Sequence, residues 1–167
     1  MTSSLAPLDE EALQATANDA VDWFEHDRWR ADDDFWALVE LGTVAPDSYQ
    51  THLAGQDAAA LLRYAWRFRL LEDMIDEQAA PLGPPNSEDS AEDFRGWLVA
   101  RGRATYAAVL DGTGGPRGLD WSRPVPGFDN ERSTGAPRLP GIDLRYAAED
   151  LWFERYGDEM PRPDAYW

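Results

Sequence analysis

The stretch EDFRGWLVARGR, Glu92 to Arg103, sets two acids, three arginines and a tryptophan on one helix and its C-terminal turn. On such a helix Asp93 lies one turn from Trp97, Trp97 one turn from Arg101, and Phe94 and Leu98 lie beside them. That stripe has the makings of an anion pocket, in which Arg101 or Arg103 offers a planar fork to a carboxylate or phosphate and Trp97 forms a stacking wall. Asp93, Arg95, Trp97 and Arg101 would then surround the ligand, and Asp93 or His52 would move a proton. The same residues also fit a structural seam, with Phe94, Trp97 and Leu98 in the core and the arginines paired to acids on neighbouring helices. Acids outnumber bases 32 to 15, so carboxylate partners are in surplus and the seam is the reading we carry forward.

Other chemistry has thinner support. In LLEDMIDEQ, the carboxylates of Glu72, Asp73, Asp76 and Glu77 share a helix at spacings that can hold Mg²⁺ against a diphosphate. Such chemistry needs a second metal motif on a facing helix and a longer chain. Arg69, four residues before Asp73, points instead to an ion-paired face. We therefore expect no metal and no cofactor, with Glu72, Asp73 and Asp76 as the only ligands to test. His26 and His52 belong to no H-x-x-x-H or H-x-x-E spacing. Either could act as a base if Glu25, Asp27 or Asp47 oriented it, but lone histidines near helix ends are more often structural. No G-x-S-x-G elbow exists, and DGTGGPRG lacks the strand, the Lys-Ser/Thr ending and the helix of a phosphate loop.

Charge narrows the partners. The formal net charge is −17 and all fifteen cations are arginine, so each is a rigid fork suited to carboxylates. A surface this negative repels nucleic acid and anionic membrane, and favours a protein partner, one that is itself basic. A small-molecule ligand is the other possibility. The chain has no cysteine, and MTSSLAPLDEEAL has neither the basic nor the apolar region of a secretion signal. No apolar run approaches a membrane span. These features together predict a cytoplasmic protein.

Helical punctuation runs through most of the chain. Leu13, Ala17, Ala20, Val21 and Phe24 recur at helical spacing behind Asp9, a candidate cap, which predicts a helix from about residue 10 to 24. DDDFWALVELG reads as a second helix with acids at its positive end and Gly42 as its stop. APDSYQTHLAG reads as a third, with Pro46 in the first turn and Gly55 past the end. Leu61, Ala65, Phe68, Leu71 and Ile75 mark a central helix over 57–78. Ser90 and Asp93 resemble a capping box for the next helix, which Gly102 ends or kinks before RATYAAVL.

Residues 112–141 hold seven glycines and five prolines, which forbids a long helix or strand. We expect there a long loop, a lid or partner-binding arm anchored by Trp121 and Phe128. IDLRYAAEDLWFERYG then returns to helix, with Asp143 as cap and Gly157 as stop. DEMPRPDAYW reads as an extended tail. Eight tryptophans suffice to fill a small helical core, and those left at the surface would be interface anchors. The expected architecture is all-α: a single helical domain of about six helices over 1–167, with the Gly/Pro-rich loop before the last helix.

Three segments, DDDFWALVE (32–40), SAEDFRGWLVARGRATYAAVL (90–110) and DLRYAAEDLWFERYGDEMP (143–161), together resemble a bacterial family catalogued as domain of unknown function 4240. The likeness spans about 32–161 and makes residues 1–31 a helical N-terminal extension. It implies an α-helical fold and carries no settled activity. Here the stretch before Ser90 is shorter and richer in proline than the family pattern, and the Gly/Pro loop replaces its acidic connector.

Two functions remain in view. The leading one is a binding or regulatory protein, immunity-like, whose acidic face blocks a basic partner. The alternative is a small-molecule-modifying enzyme of specialised metabolism, with a pocket lined by Trp, Arg and Asp under the Gly/Pro lid. The candidate ligand- or partner-binding residues are Asp93, Arg95, Trp97, Arg101, Arg103, Trp36, His52 and Trp121. A flat acidic face favours the binder, and a deep aromatic pocket with a buried carboxylate favours the enzyme.

Overall fold

The computed structural model describes residues 8–79, 95–111 and 140–166, with the side chains of 76–79, 140–143 and 145 set aside. Among these residues every element is helical and no strand occurs. The order is α1 (Glu10–Glu25), a 3-10 turn (Arg28–Ala31), α2 (Asp33–Val44), α3 (Pro46–Ala54), α4 (Ala58–Ala79), α5 (95–100), α6 (Arg103–Leu110) and α7 (Pro140–Tyr156). The loop expected at 112–141 falls almost wholly outside the described residues, as do Asp93, Trp121 and Phe128.

Short aspartate side chains start the helices, Asp9 as the sequence predicts. Asp9 accepts from the amide of Ala12 at 3.0 Å, Asp32 from that of Phe35 at 2.9 Å, and Asp57 from that of Ala60 at 2.8 Å. Each satisfies one of the amides left open in a first turn. Asp27, at φ 53°, turns the chain out of α1, and its carboxylate accepts from the Trp29 indole at 3.1 Å. Aspartate tolerates this left-handed conformation because its short side chain can bond locally.

Helix α4 is the axis, packed along α1 on one side and α7 on the other. Its predicted stripe, Leu61, Ala65, Phe68, Leu71 and Ile75, is buried, and so are Leu62, Tyr64, Trp66 and Leu70 around it. A helix covered on nearly every side must be central. Helix α1 supplies Leu13, Ala17, Ala20 and Trp23 to the same core. Trp23, Trp29, Trp36, Trp66, Trp97 and Trp152 are all buried. Edge-to-face contacts join several of them, Trp23 to Phe35 at 5.3 Å and Trp29 to Tyr106 at 5.1 Å among others.

Two punctuation marks act differently from the sequence expectation. Gly42 does not stop α2, which runs through it to Val44. Instead a β-carbon at Gly42 would lie 2.0 Å from a methyl of Leu144, so this glycine lets α7 approach α2. Helix α7 begins at Pro140, which suits a first helical position, and Asp143 therefore lies inside the helix and is not its cap. Gly157 does end α7, at φ 73°. At Gly102 the values φ 90° and ψ 168° belong to a region that only glycine enters readily, which is why the chain can break between α5 and α6 there.

The tail predicted as extended is tied down at several points. Gln14 donates to the Arg162 carbonyl at 2.7 Å, and the Asn18 amide donates to the Asp164 carboxylate at 2.8 Å. The Trp66 indole donates to the Pro161 carbonyl at 2.7 Å, and the Tyr166 hydroxyl to Asp73 at 2.5 Å. Arg155 from α7 donates to the carbonyls of Ala54 and Gln56, placing a cation on the negative end of α3.

Buried hydroxyls make the fold sensitive to alkali. The Tyr49 hydroxyl lies 3.0 Å from that of Tyr64 and 3.3 Å from the Leu144 carbonyl, and Tyr106 donates to the Leu71 carbonyl at 2.7 Å. With one proton apiece, Tyr64 donates to Tyr49 and Tyr49 to Leu144. Burial raises the pKa of Tyr49, Tyr64 and Tyr106 well above the ordinary phenol value, and burial with the Asp73 hydrogen bond pushes Tyr166 up to about 12. Groups whose folded pKa is raised add stability that is complete below the unfolded value near 10 and is lost as pH climbs through the native values. We expect a spectrophotometric titration in which Tyr49, Tyr64 and Tyr106 ionise only together with unfolding. Reversible phenolate absorbance from all six tyrosines in the folded protein would contradict this.

Candidate functional site

The residues singled out in the sequence divide among three surroundings. Trp36, Trp97, Arg101 and Arg103 come together along one open groove of about 690 Å³ between α2 and the α5–α6 turn. His52 lies on a second groove, of about 590 Å³, on the other side of α2. Arg95 is half-buried on α5. Asp93 and Trp121 lie outside the described residues.

In the first groove the tryptophans are mostly core. Trp36 is 6% and Trp97 4% exposed, and the Trp36 indole donates to the Trp29 carbonyl at 2.6 Å. Leu98 and Val99 are fully buried behind them. The apolar wall that solvent reaches is therefore Ala37, Val44 and Ala104, together with the tryptophan edges. Val44 is 71% exposed, an apolar side chain with nothing to cover it among the described residues.

The two arginines of this groove play different parts. Arg103 bonds Asp33 at 2.7 Å and the Arg30 carbonyl at 3.2 Å, which ties α6 to α2 and the 3-10 turn. Arg30 in turn forms two bonds with Asp111, at 2.9 and 3.2 Å, and stacks on Trp29 at 4.3 Å. The Asp111 hydrogen bond holds the Arg30 guanidinium above its ordinary pKa. Of the stretch read as a seam, Arg103 thus pairs with an acid on a neighbouring helix. Arg101 behaves otherwise: it is exposed, it lies over Trp97 at 5.5 Å, and it meets no carboxylate among the described residues.

The second groove is anchored by a residue that sequence reading treated only as one acid in a run. Asp32 caps α2 through one oxygen, and its other oxygen accepts from the Trp23 indole at 2.8 Å and from Arg67 at 2.7 Å. Arg67 is also 3.6 Å from Asp19 and stacks on Trp23 at 4.9 Å. Burial is the largest influence on Arg67 and lowers its pKa, while Asp32 acts in the opposite direction. The signal was the DDDF cap position, but sequence cannot show that Trp23 and Arg67 would reach the same carboxylate.

Neither histidine hydrogen-bonds a carboxylate among the described residues. His52 is exposed with Nε2 3.1 Å from the Gln56 amide, and His26 Nδ1 lies 2.9 Å from the Asp22 carbonyl. The orienting partners Glu25, Asp27 and Asp47 are not engaged with them, so no acid–histidine dyad is assembled. The acidic face of α4 is also divided. Glu72 is 4% exposed in the core, Asp73 is exposed and accepts from Tyr166, and the Asp76 side chain lies outside the described residues. Arg69 reaches Glu149 at 3.7 Å. Among the described residues no group of three acidic or histidine side chains is placed to hold a metal ion, and no helix is long and apolar enough to cross a membrane.

No protein-family model matches this chain, and no curated protein or solved structure is significantly similar to it.

Proposed function

We propose that this chain is a binding or regulatory module, immunity-like and cytoplasmic, that engages a basic protein through its acidic surface. The observation that carries this reading is how the charges are distributed. Arg28, Arg30, Arg67, Arg69, Arg103 and Arg162 each pair with a carboxylate of this chain. Glu10, Glu11, Asp22, Glu25, Asp34, Glu40, Asp47, Asp150 and Glu154 remain exposed with no arginine against them among the described residues. These six cations are used internally, and with a formal net charge of −17 the outward field is negative.

Asp22 and Glu25 carry the argument furthest. Both sit in the last turn of α1, where exposed helix carbonyls already make the local potential negative and where no basic residue helps. Carboxylates there cost stability, which makes sense if a partner supplies the cation. Replacing them together, Asp22→Asn with Glu25→Gln, is expected to stabilise the fold by about 1 kcal/mol. The same change should slow association with an arginine-rich peptide several-fold at low salt and by little at high salt. A pull-down from bacterial lysate at low and high salt should recover a specific basic protein. Unchanged association in the double variant, or no specific protein recovered, would count against the proposal.

A further inference from the structure

We infer that the groove between α2 and the α5–α6 turn binds small aromatic carboxylates, with Arg101 taking the carboxylate and the Val44 side holding the ring. This goes beyond the protein-binding reading and does not depend on it. Arg101 offers the chemistry. Its guanidinium carbon lies 5.5 Å from the centre of the Trp97 ring, a cation–π contact that occupies none of its N–H donors, and the side chain is exposed. Those donors match a carboxylate with two parallel hydrogen bonds.

The neighbours set the rest of the preference. Arg103 already neutralises Asp33 at 2.7 Å, so that acid does not compete for Arg101. Glu40, on the α2 wall of the groove, is exposed and has no arginine partner among the described residues. A second negative charge on the ligand would meet it, which favours monocarboxylates. The same groove is lined by the exposed Ala37, Val44 and Ala104, a surface for a flat apolar body. The −17 net charge opposes any anion at long range, but salt screens that repulsion over about 8 Å at physiological ionic strength, and contact with Arg101 is shorter than that.

The test uses phenylacetate against phenylacetamide, which differ in the charged group alone. Binding is measured by calorimetry and located by the indole N–H signals of Trp36 and Trp97 in NMR spectra. We expect the acid to bind about tenfold more tightly than the amide, the gain of a charge-assisted pair over a neutral one. Arg101→Gln, at an exposed position, should bring the acid down to the amide's affinity. Ala104→Trp should block both ligands by filling the groove, and Ala37→Trp serves from the facing wall if that variant does not fold.

Equal affinity for acid and amide would overturn the inference, as would unchanged acid binding in Arg101→Gln. Absence of binding by either ligand, or indole shifts confined to other tryptophans, would overturn it too. Tighter binding of an acetylated Gly-Gly-Phe peptide with a free C-terminus than of phenylacetate would reassign the groove to protein chain ends.

Discussion

Asp32→Ala is expected to destabilise the fold by about 3 kcal/mol or more. Three interactions end together. The cap of α2 contributes about 1 kcal/mol. The Trp23 indole, in a residue 1% exposed, loses its acceptor at 2.8 Å. Arg67, whose side chain is 14% exposed, is left with Asp19 alone at 3.6 Å, and removing one partner from a mostly buried pair costs about 3–5 kcal/mol before any relaxation. Asp32→Asn keeps a carbonyl acceptor for the cap and should lose roughly half as much.

The comparison that decides the matter is Asp33→Ala. Asp33 also bonds an arginine at 2.7 Å, but the side chains of this pair are 40% and 82% exposed. Equal distance in different solvent should give a very different result, about 0.5 kcal/mol or less at Asp33. Chemical denaturation of the three variants measures this. Similar losses at Asp32 and Asp33 would show that the Asp32 cluster is not the tie between α1, α2 and α4 that its geometry implies.

The second large effect lies at Gly42. Gly42→Leu should cost about 3 kcal/mol, the upper end for overpacking, because Leu144 opposite it is 2% exposed and has no solvent to move into. In a melting experiment on a chain of this size the loss should be on the order of 10 °C. Gly42→Ala is a closer contest. The new methyl gains about 1 kcal/mol of helix propensity but meets a Leu144 methyl at 2.0 Å, so a net loss of about 1 kcal/mol is expected. A double-mutant cycle separates the causes. Leu144→Ala alone leaves a cavity, and Gly42→Ala in that background fills part of it, so the pair should couple favourably by about 1 kcal/mol or more. Simple additivity would place the constraint at Gly42 elsewhere.

Both predictions show where sequence reading succeeds and where it stops. Asp9 was legible as a helix cap because capping is local: a side chain bonds an amide three residues on, and both partners lie in one short window, as they do for Asp32 and Asp57 in the structure. The stripe from Leu61 to Ile75 was legible for the same reason, since one helix's period determines which face is apolar. Gly42 was misread because glycine has two uses. Ending a helix is visible in sequence, whereas admitting a neighbour is not, and Leu144 is about a hundred residues away in the chain. Asp143 was misread because Pro140, three residues earlier, is itself a suitable start.

The candidate site shows the same division. Trp36, Trp97, Arg101 and Arg103 were picked by residue type and helical spacing, and the fold does line one groove with all four. Type and spacing could not say that Asp33 occupies Arg103 while Arg101 meets no carboxylate, since that depends on how α2 crosses the α5–α6 turn. His52, grouped with them by chemistry, faces the opposite side of α2.

What the amino-acid sequence determined by itself is the all-helical class, the central place of α4, the tryptophan-filled core and the acidic surface. Those follow from period, composition and charge, which any compact arrangement of the chain must respect. Which arginine pairs with which acid, why Gly42 must stay small, and which tryptophan edges reach solvent were decided only by the tertiary structure. Side chains reach only a few ångströms, and the order of residues along the chain does not specify which helices lie within that reach.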